Sequence, residues 1–134
     1  MIRCIYSPFT DIYFHLAAEE YLLKQGNEDI FMLWQDTPSV VMGKHQSVQL
    51  EVNREWAEEQ QIQIARRFSG GGAVYHDLGN VNLTFIETVS RLPDFSLYLH
   101  RIYSLIPFLA GLQHYSTKTV VQFCSHFQQE IGRA

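Results

Sequence analysis

Three consecutive glycines stand at positions 70–72, inside the run RRFSGGGAVYHD, residues 66–77. A hairpin turn needs one glycine or two, so turn chemistry alone does not account for three. Glycine has no Cβ, which lets another group come close to its backbone and leaves φ free to be positive, at about 1 kcal/mol each in unfolded-state entropy. A row of exposed N–H groups forms a concavity that binds anions, and Arg66 and Arg67 add fork-shaped cationic donors beside it. The stretch therefore reads as a cradle for a small anionic ligand. It lacks the Gly-Lys-Ser/Thr ending of a phosphate loop and the interrupted glycines of a dinucleotide fingerprint. A glycine-rich turn with no ligand is the reading that the triplet by itself leaves open.

The flanks say what the cradle connects. Ile62 and Ile64 alternate with Gln63 and Ala65 as a strand that delivers Arg66 and Arg67 into the glycines. Ala73 to His76 resume an extended pattern, so the loop joins two strands and does not open a helix. DLGN, residues 77–80, reads as a turn, and Val81, Leu83 and Phe85 as a further strand with Asn82 and Thr84 on its opposite face. Upstream, MIRCIY predicts a first strand, and Ser7 to Asp11 supply turn residues and a cap. Phe14, Ala17, Ala18, Tyr21 and Leu22 fall at helical spacing and predict the buried face of a helix that stops at Gly26. Glu19 and Glu20 point about 100° apart on such a helix, which assigns them a solvated or structural role.

IFMLW, residues 30–34, predicts a buried strand bounded by polar and turn-forming residues. Val40 to Met42 predict another, ending at Gly43, with Lys44, His45 and Gln46 where strand gives way to loop. Asn53 caps a short predicted helix through Gln61. Tyr98, Ile102, Leu105, Ile106, Leu109 and Leu112 share a helical face, and Pro107 breaks that helix near residues 103–107. TVVQFC, residues 119–124, fits a strand or part of a helix. Together these elements predict an α/β (α+β) fold.

A length of 134 residues bounds the chain to a single domain, 1–134. Hydrophobic residues at 46% and charged ones at 18% exclude disorder as the default. A formal charge of -4 argues against nucleic acid as a partner. Cys4 and Cys124 lie far apart with no metal or redox spacing, so no metal site is expected. Nothing in the sequence has the pattern of a secretory signal or a membrane span, which predicts a reducing cytoplasmic setting and no membrane partner.

RRFSGGGAVYHDLGN, residues 66–80, closely resembles the signature of the lipoate-protein ligase A family, which shares the biotin/lipoate protein ligase catalytic domain. PSVVMGKHQS, residues 38–47, is similar to the family's Gly-(Arg/Lys)-x-Gln-Asn segment, with Ser47 in place of asparagine. FHLAAEEYLL, residues 14–23, and VNLTF, residues 81–85, extend the resemblance. It covers residues 1–87 as a family-like core, the N-terminal portion of such a domain, and leaves 88–134 as a divergent helical C-terminal part.

The resemblance implies a mixed, largely antiparallel sheet with flanking helices, and activation of lipoate by ATP and Mg to lipoyl-adenylate. Transfer then goes to a lysine of a lipoyl carrier domain, either in a 2-oxoacid dehydrogenase complex or on the glycine cleavage H-protein. Position by position, it implies that Arg67 contacts the nucleotide or adenylate, and that Gly72, Ala73, Val74 and Tyr75 wrap the phosphate and acyl arm. Gly70 and Gly71 complete the loop, and Ser69 and His76 orient it, His76 either by holding its shape or by touching the ligand. Arg66 points to the face opposite Arg67 if the strand continues. Lys44 and Gln46 line the site.

The family's next segment and its catalytic lysine, set in Lys-x-Ser-Gly, have no match here. Lys118 is the only lysine after Lys44, and its setting STKTV differs. The resemblance thus implies a ligase impaired in this short form, whether as a truncated product, as half of a split enzyme or as a non-catalytic ligand-binding remnant. The alternative within the family is an octanoyl or lipoyl transferase, which uses a cysteine nucleophile and no ATP.

Overall fold

The computed structural model describes residues 2–25, 28–89, 96–97, 100–104 and 120–129. In chain order its elements are β1 (Ile2–Tyr6), α1 (Ile12–Gln25), β2 (Asp29–Trp34), β3 (Ser39–Met42), α2 (Val48–Glu51), α3 (Arg54–Glu59), β4 (Gln63–Arg66), β5 (Val74–His76), β6 (Asn80–Val89) and β7 (Val120–Gln129). The strands form two sheets, ordered β1-β2-β6-β7 and β4-β3-β5. The mixed α+β architecture is as expected. The pairing is more parallel than expected: β1 with β2, β3 with β4 and β6 with β7 run parallel, while β2 with β6 and β3 with β5 run antiparallel. The connections between the parallel pairs include α1 and α3, long enough to return the chain to the same end of its sheet.

Alternation along β2 and β6 builds two cores. Trp34 lies opposite Asn82 and Met32 opposite Thr84, so these four side chains share one face of the larger sheet. That face meets α1 and the smaller sheet in a cluster of Ile12, Met32, Trp34, Val41 and Ala65. On the other face Val81, Leu83 and Phe85 pack with Ile102, from the helical residues 100–104, and with Phe31 and Leu33 of β2. The run 119–124, which periodicity left open between strand and helix, belongs to β7 from Val120 onward. This strand stands inside the stretch expected to be helical. Pro107 and the break expected beside it lie outside the described residues.

Helix α1 is where expected but turned the other way. Its buried side chains are Ile12, His15 and Glu19, while Phe14 is 47% and Tyr21 64% exposed. The apolar stripe predicted to face the core instead lines an open groove of about 490 Å³ with Ile5, Tyr6 and Phe9. Polar satisfaction decides this rotation. His15 and Glu19 find partners beneath the helix, and the hydrogen bonds made there offset the cost of burying them. Asp11 Oδ1 accepts from the N–H of Tyr13 at 2.8 Å and starts the helix, as the cap reading required. Asn53 likewise accepts from the N–H of Trp56 at 3.2 Å and caps α3.

Candidate functional site

β3 is the middle strand of the smaller sheet, with β4 on one side and β5 on the other. The chain leaving β4 must cross the end of β3 to reach β5, and residues 67–73 make that crossing. The glycine loop is thus a strand-to-strand connection over the end of a sheet, as its flanks predicted. At the same end β3 gives way to Gly43, so two backbones meet. A Cβ on Gly43 would lie 1.9 Å from the carbonyl oxygen of Gly71. Only glycine permits that approach. Gly71 itself has φ +98°, a conformation that side chains of L residues rarely adopt.

Hydrogen bonds stitch the two segments together. The N–H of Arg67 donates to Met42 O at 3.0 Å and that of Lys44 to Ser69 O at 2.9 Å. Gln46 Oε1 accepts from the N–H of Gly43 at 2.9 Å, closing the GKHQ turn. The two arginines divide the carbonyls between them. Arg66 Nη1 donates to Gly43 O at 2.9 Å, Lys44 O at 3.2 Å and Gln46 O at 2.7 Å. Arg67 reaches Val41 O at 3.1 Å through Nη1, and through Nη2 reaches Gly70 O and Gly72 O, both at 2.8 Å. Its Nε also donates to Gly70 O, at 3.2 Å.

This arrangement sets the polarity of the loop. In a trans peptide the C=O and the following N–H point in opposite directions. Drawing the carbonyls of Gly70 and Gly72 toward Arg67 therefore turns the N–H groups of Gly71 and Ala73 away from that guanidinium. Gly70 to Ala73 are exposed, Ser69 and Val74 are half-buried and Tyr75 is 49% exposed. The side chain of Lys44 is exposed on the turn that borders the loop, and so is that of His45. Two outward N–H groups with the exposed Lys44 side chain at their rim can hold an anion. Beyond the loop the DLGN turn closes through Asp77 Oδ1, which accepts from the N–H of Gly79 at 2.8 Å, and Asn80 Nδ2 donates to Tyr75 O at 2.9 Å.

His76 behaves differently from the rest of the predicted set. It is buried, and its Nδ1 donates to Asp36 Oδ2 at 2.9 Å. The second oxygen of Asp36 is 2.6 Å from Nδ1 of the buried His15, and Nε2 of His15 lies 2.8 Å from Ser7 Oγ. Trp34 packs against both rings, at 4.7 Å from His15 and 5.8 Å from His76 between centroids. Its Nε1 donates to Thr84 Oγ1 at 2.8 Å, and the Thr84 hydroxyl donates to the Glu19 carboxylate. Glu19 is thus structural, as its position on the helix implied.

Asp36, His15, Gly43 and Asn80 were missed as contributors to this region. Gly43 carried a signal, a glycine at a strand end. Asp36 carried none, because it reads as an ordinary turn residue. Ser39 Oγ, Asn82 Oδ1 and Nδ2, and His76 Nε2 are buried with no hydrogen-bond partner among the described residues. Among the described residues no group of three or more His, Cys, Asp or Glu is placed to hold a metal ion. No helix among them is long and apolar enough to cross a membrane.

The family model described as the lipoyl protein ligase A/B catalytic domain matches residues 11–122, running past residue 87 where the quoted motifs stop. The mitochondrial lipoyl amidotransferase of Homo sapiens is 45% identical over 84 residues, 60% of this chain and 22% of that protein. Plasmodium falciparum LipL1, solved in complex with lipoate, superposes with a TM-score of 0.70 at 33% identity over 80% of this chain and 36% of that one. A lipoate-protein ligase A bound with ATP gives 0.65 at 26% identity over 85% of this chain and 47% of that one. The chain spans about a fifth of the length of that human relative and less than half of either solved chain.

Proposed function

Since the chain belongs to the lipoyl protein ligase A/B catalytic domain family, we propose that it supplies the acyl-adenylate cradle of a lipoate-protein ligase. The observation that carries this is the loop geometry: Arg67 holds the carbonyls of Gly70 and Gly72 at 2.8 Å each, and the planar peptide then turns the N–H groups of Gly71 and Ala73 away from it.

In the proposed reaction a lipoate carboxylate oxygen attacks the α-phosphorus of ATP. An acyl-phosphate bond forms, the bond to the β-phosphate oxygen breaks and pyrophosphate leaves. A carrier-domain lysine then displaces AMP. Two anions must be held within reach of each other, and fixing them supplies several kcal/mol of the barrier. The outward N–H groups and the charge of Lys44 would stabilise the phosphate as its charge develops, with Arg67 holding the loop in that shape. Magnesium would arrive with the nucleotide phosphates, since the acidic groups described here do not form a protein cage for it. The acceptors proposed are lipoyl domains of 2-oxoacid dehydrogenase complexes or the glycine cleavage H-protein, in a reducing, cytoplasmic setting.

The family's lysine setting has no match in these 134 residues, so the chain by itself is expected to bind lipoyl-adenylate without making it. Purified chain with lipoate, ATP and magnesium should release no lipoate-dependent pyrophosphate; clear release would overturn that. Calorimetry with synthetic lipoyl-adenylate should register binding that Arg67→Ala weakens at least about tenfold, one hydrogen-bonded charge's worth. Equal heats for the two proteins would sink the cradle.

The human amidotransferase relative favours a second reading, acyl transfer without ATP from a lipoyl or octanoyl donor protein. Cys4, exposed on β1, lies on a strand remote in sequence from the loop. Appearance of lipoyl-carrier from a lipoylated donor protein with no nucleotide present would decide for transfer.

A further inference from the structure

Asp36 lies just past β2, is fully buried, and serves two histidines from two different elements, His15 of α1 and His76 of β5. An ionised carboxylate only accepts hydrogen bonds, so each contact places a proton on the Nδ1 of that ring. The remaining nitrogens differ. Nε2 of His15 lies 2.8 Å from Ser7 Oγ, a hydroxyl able to donate or to accept. Nε2 of His76 is buried with no partner among the described residues. A second proton on His15 would find Ser7 as its acceptor, whereas on His76 it would create a buried N–H with no acceptor among the described residues. The contact to His15, at 2.6 Å against 2.9 Å, is also the shorter.

We infer that Asp36 is a positioning residue that divides the two rings: His15 is the adaptable one, and His76 is held with its proton on Nδ1 and a bare lone pair on Nε2. Asp36 thereby pins the C-terminal end of the glycine loop, as the arginines pin its N-terminal end. One consequence rests on the cradle reading above. A buried ring fixed in this form offers a bound adenylate no N–H, so the ligand is met by the N–H groups of Gly71 and Ala73 and by Lys44 and not by His76.

The test needs no ligand. Long-range proton–nitrogen correlation spectra of the full chain with ¹⁵N-labelled histidine, at neutral pH, report the tautomer of each ring. His76 is expected with Nδ1 protonated and Nε2 bare, the other tautomer below roughly one part in ten, the ratio set by about 1.4 kcal/mol. In Asp36→Asn one amide oxygen replaces two carboxylate oxygens. His15 should then move its proton to Nε2 toward Ser7, while His76 keeps Nδ1–H. Ser7→Ala, which leaves Asp36 in place, should shift the His15 signals and leave those of His76. The inference is overturned by a wild-type His76 protonated on Nε2 or on both nitrogens, by Asp36→Asn switching His76 and sparing His15, or by Ser7→Ala switching His76. A failure here leaves the cradle to be judged by the calorimetry, and a failed cradle leaves this tautomer assignment standing.

Discussion

Arg67 is held by backbone on three sides, and this changes what its substitution tests. Its guanidinium bonds the carbonyls of Val41, Gly70 and Gly72, so it shapes the loop as well as charging it. A lysine ammonium is a point charge on a flexible stem and cannot reproduce a planar fork spanning three fixed acceptors. Arg67→Lys is therefore expected to lose nearly as much affinity for lipoyl-adenylate as Arg67→Ala. Retention of wild-type affinity in the lysine variant, measured by calorimetry, would mean that charge alone matters. Gly43 is the second residue-scale determinant. Alanine there would put Cβ 1.9 Å from Gly71 O, and the neighbour is backbone, which cannot swing aside. Gly43→Ala should destabilise the protein by about 1–3 kcal/mol through overpacking and displace the loop, weakening ligand binding more than that stability loss alone explains. Unchanged affinity and melting temperature would contradict the close approach.

At the scale of elements, α1 and α3 obeyed different rules. The cap of α3 was legible because it is local: Asn53 accepts from the N–H of Trp56, three residues on. Asn53→Ala should cost about 1 kcal/mol and, because α3 packs on β4 ahead of the loop, should leave adenylate binding unchanged; a urea titration beside the calorimetry checks both halves. The orientation of α1 was not legible. Counting apolar residues at helical spacing pointed Phe14 and Tyr21 inward, and both are exposed. The helix is instead turned by His15 and Glu19, whose partners Asp36 and Thr84 lie 21 and 65 positions away in the chain. Tyr13 Oη, donating to Ile64 O at 3.0 Å, ties the same helix to β4. Periodicity weighs apolar side chains alike and is blind to a polar group that has a partner waiting.

In the molecule as a whole, β2 stands between the two cores, giving Met32 and Trp34 to one and Phe31 and Leu33 to the other. Removing bulk from either side should therefore be felt on both. Leu83 is fully buried in the cluster opposite Trp34, and Leu83→Ala is expected to cost about 2–5 kcal/mol. Denaturation followed by tryptophan fluorescence and by far-ultraviolet circular dichroism should coincide and move together, since Trp34 lies in the other cluster; separate transitions would show the cores to be independent. By itself the sequence determined the loop, the strands around it and the family, because these rest on short-range rules: glycine's backbone freedom, alternation and an unbroken motif. Only the tertiary structure decided which way α1 faces, that Gly43 must be glycine because Gly71 passes over it, and that Asp36 joins two histidines. Each of those depends on contacts between residues distant in the chain, which the order of residues does not display. The glycine triplet fixes where a ligand is to be held, and the packing around it fixes which way its N–H groups turn.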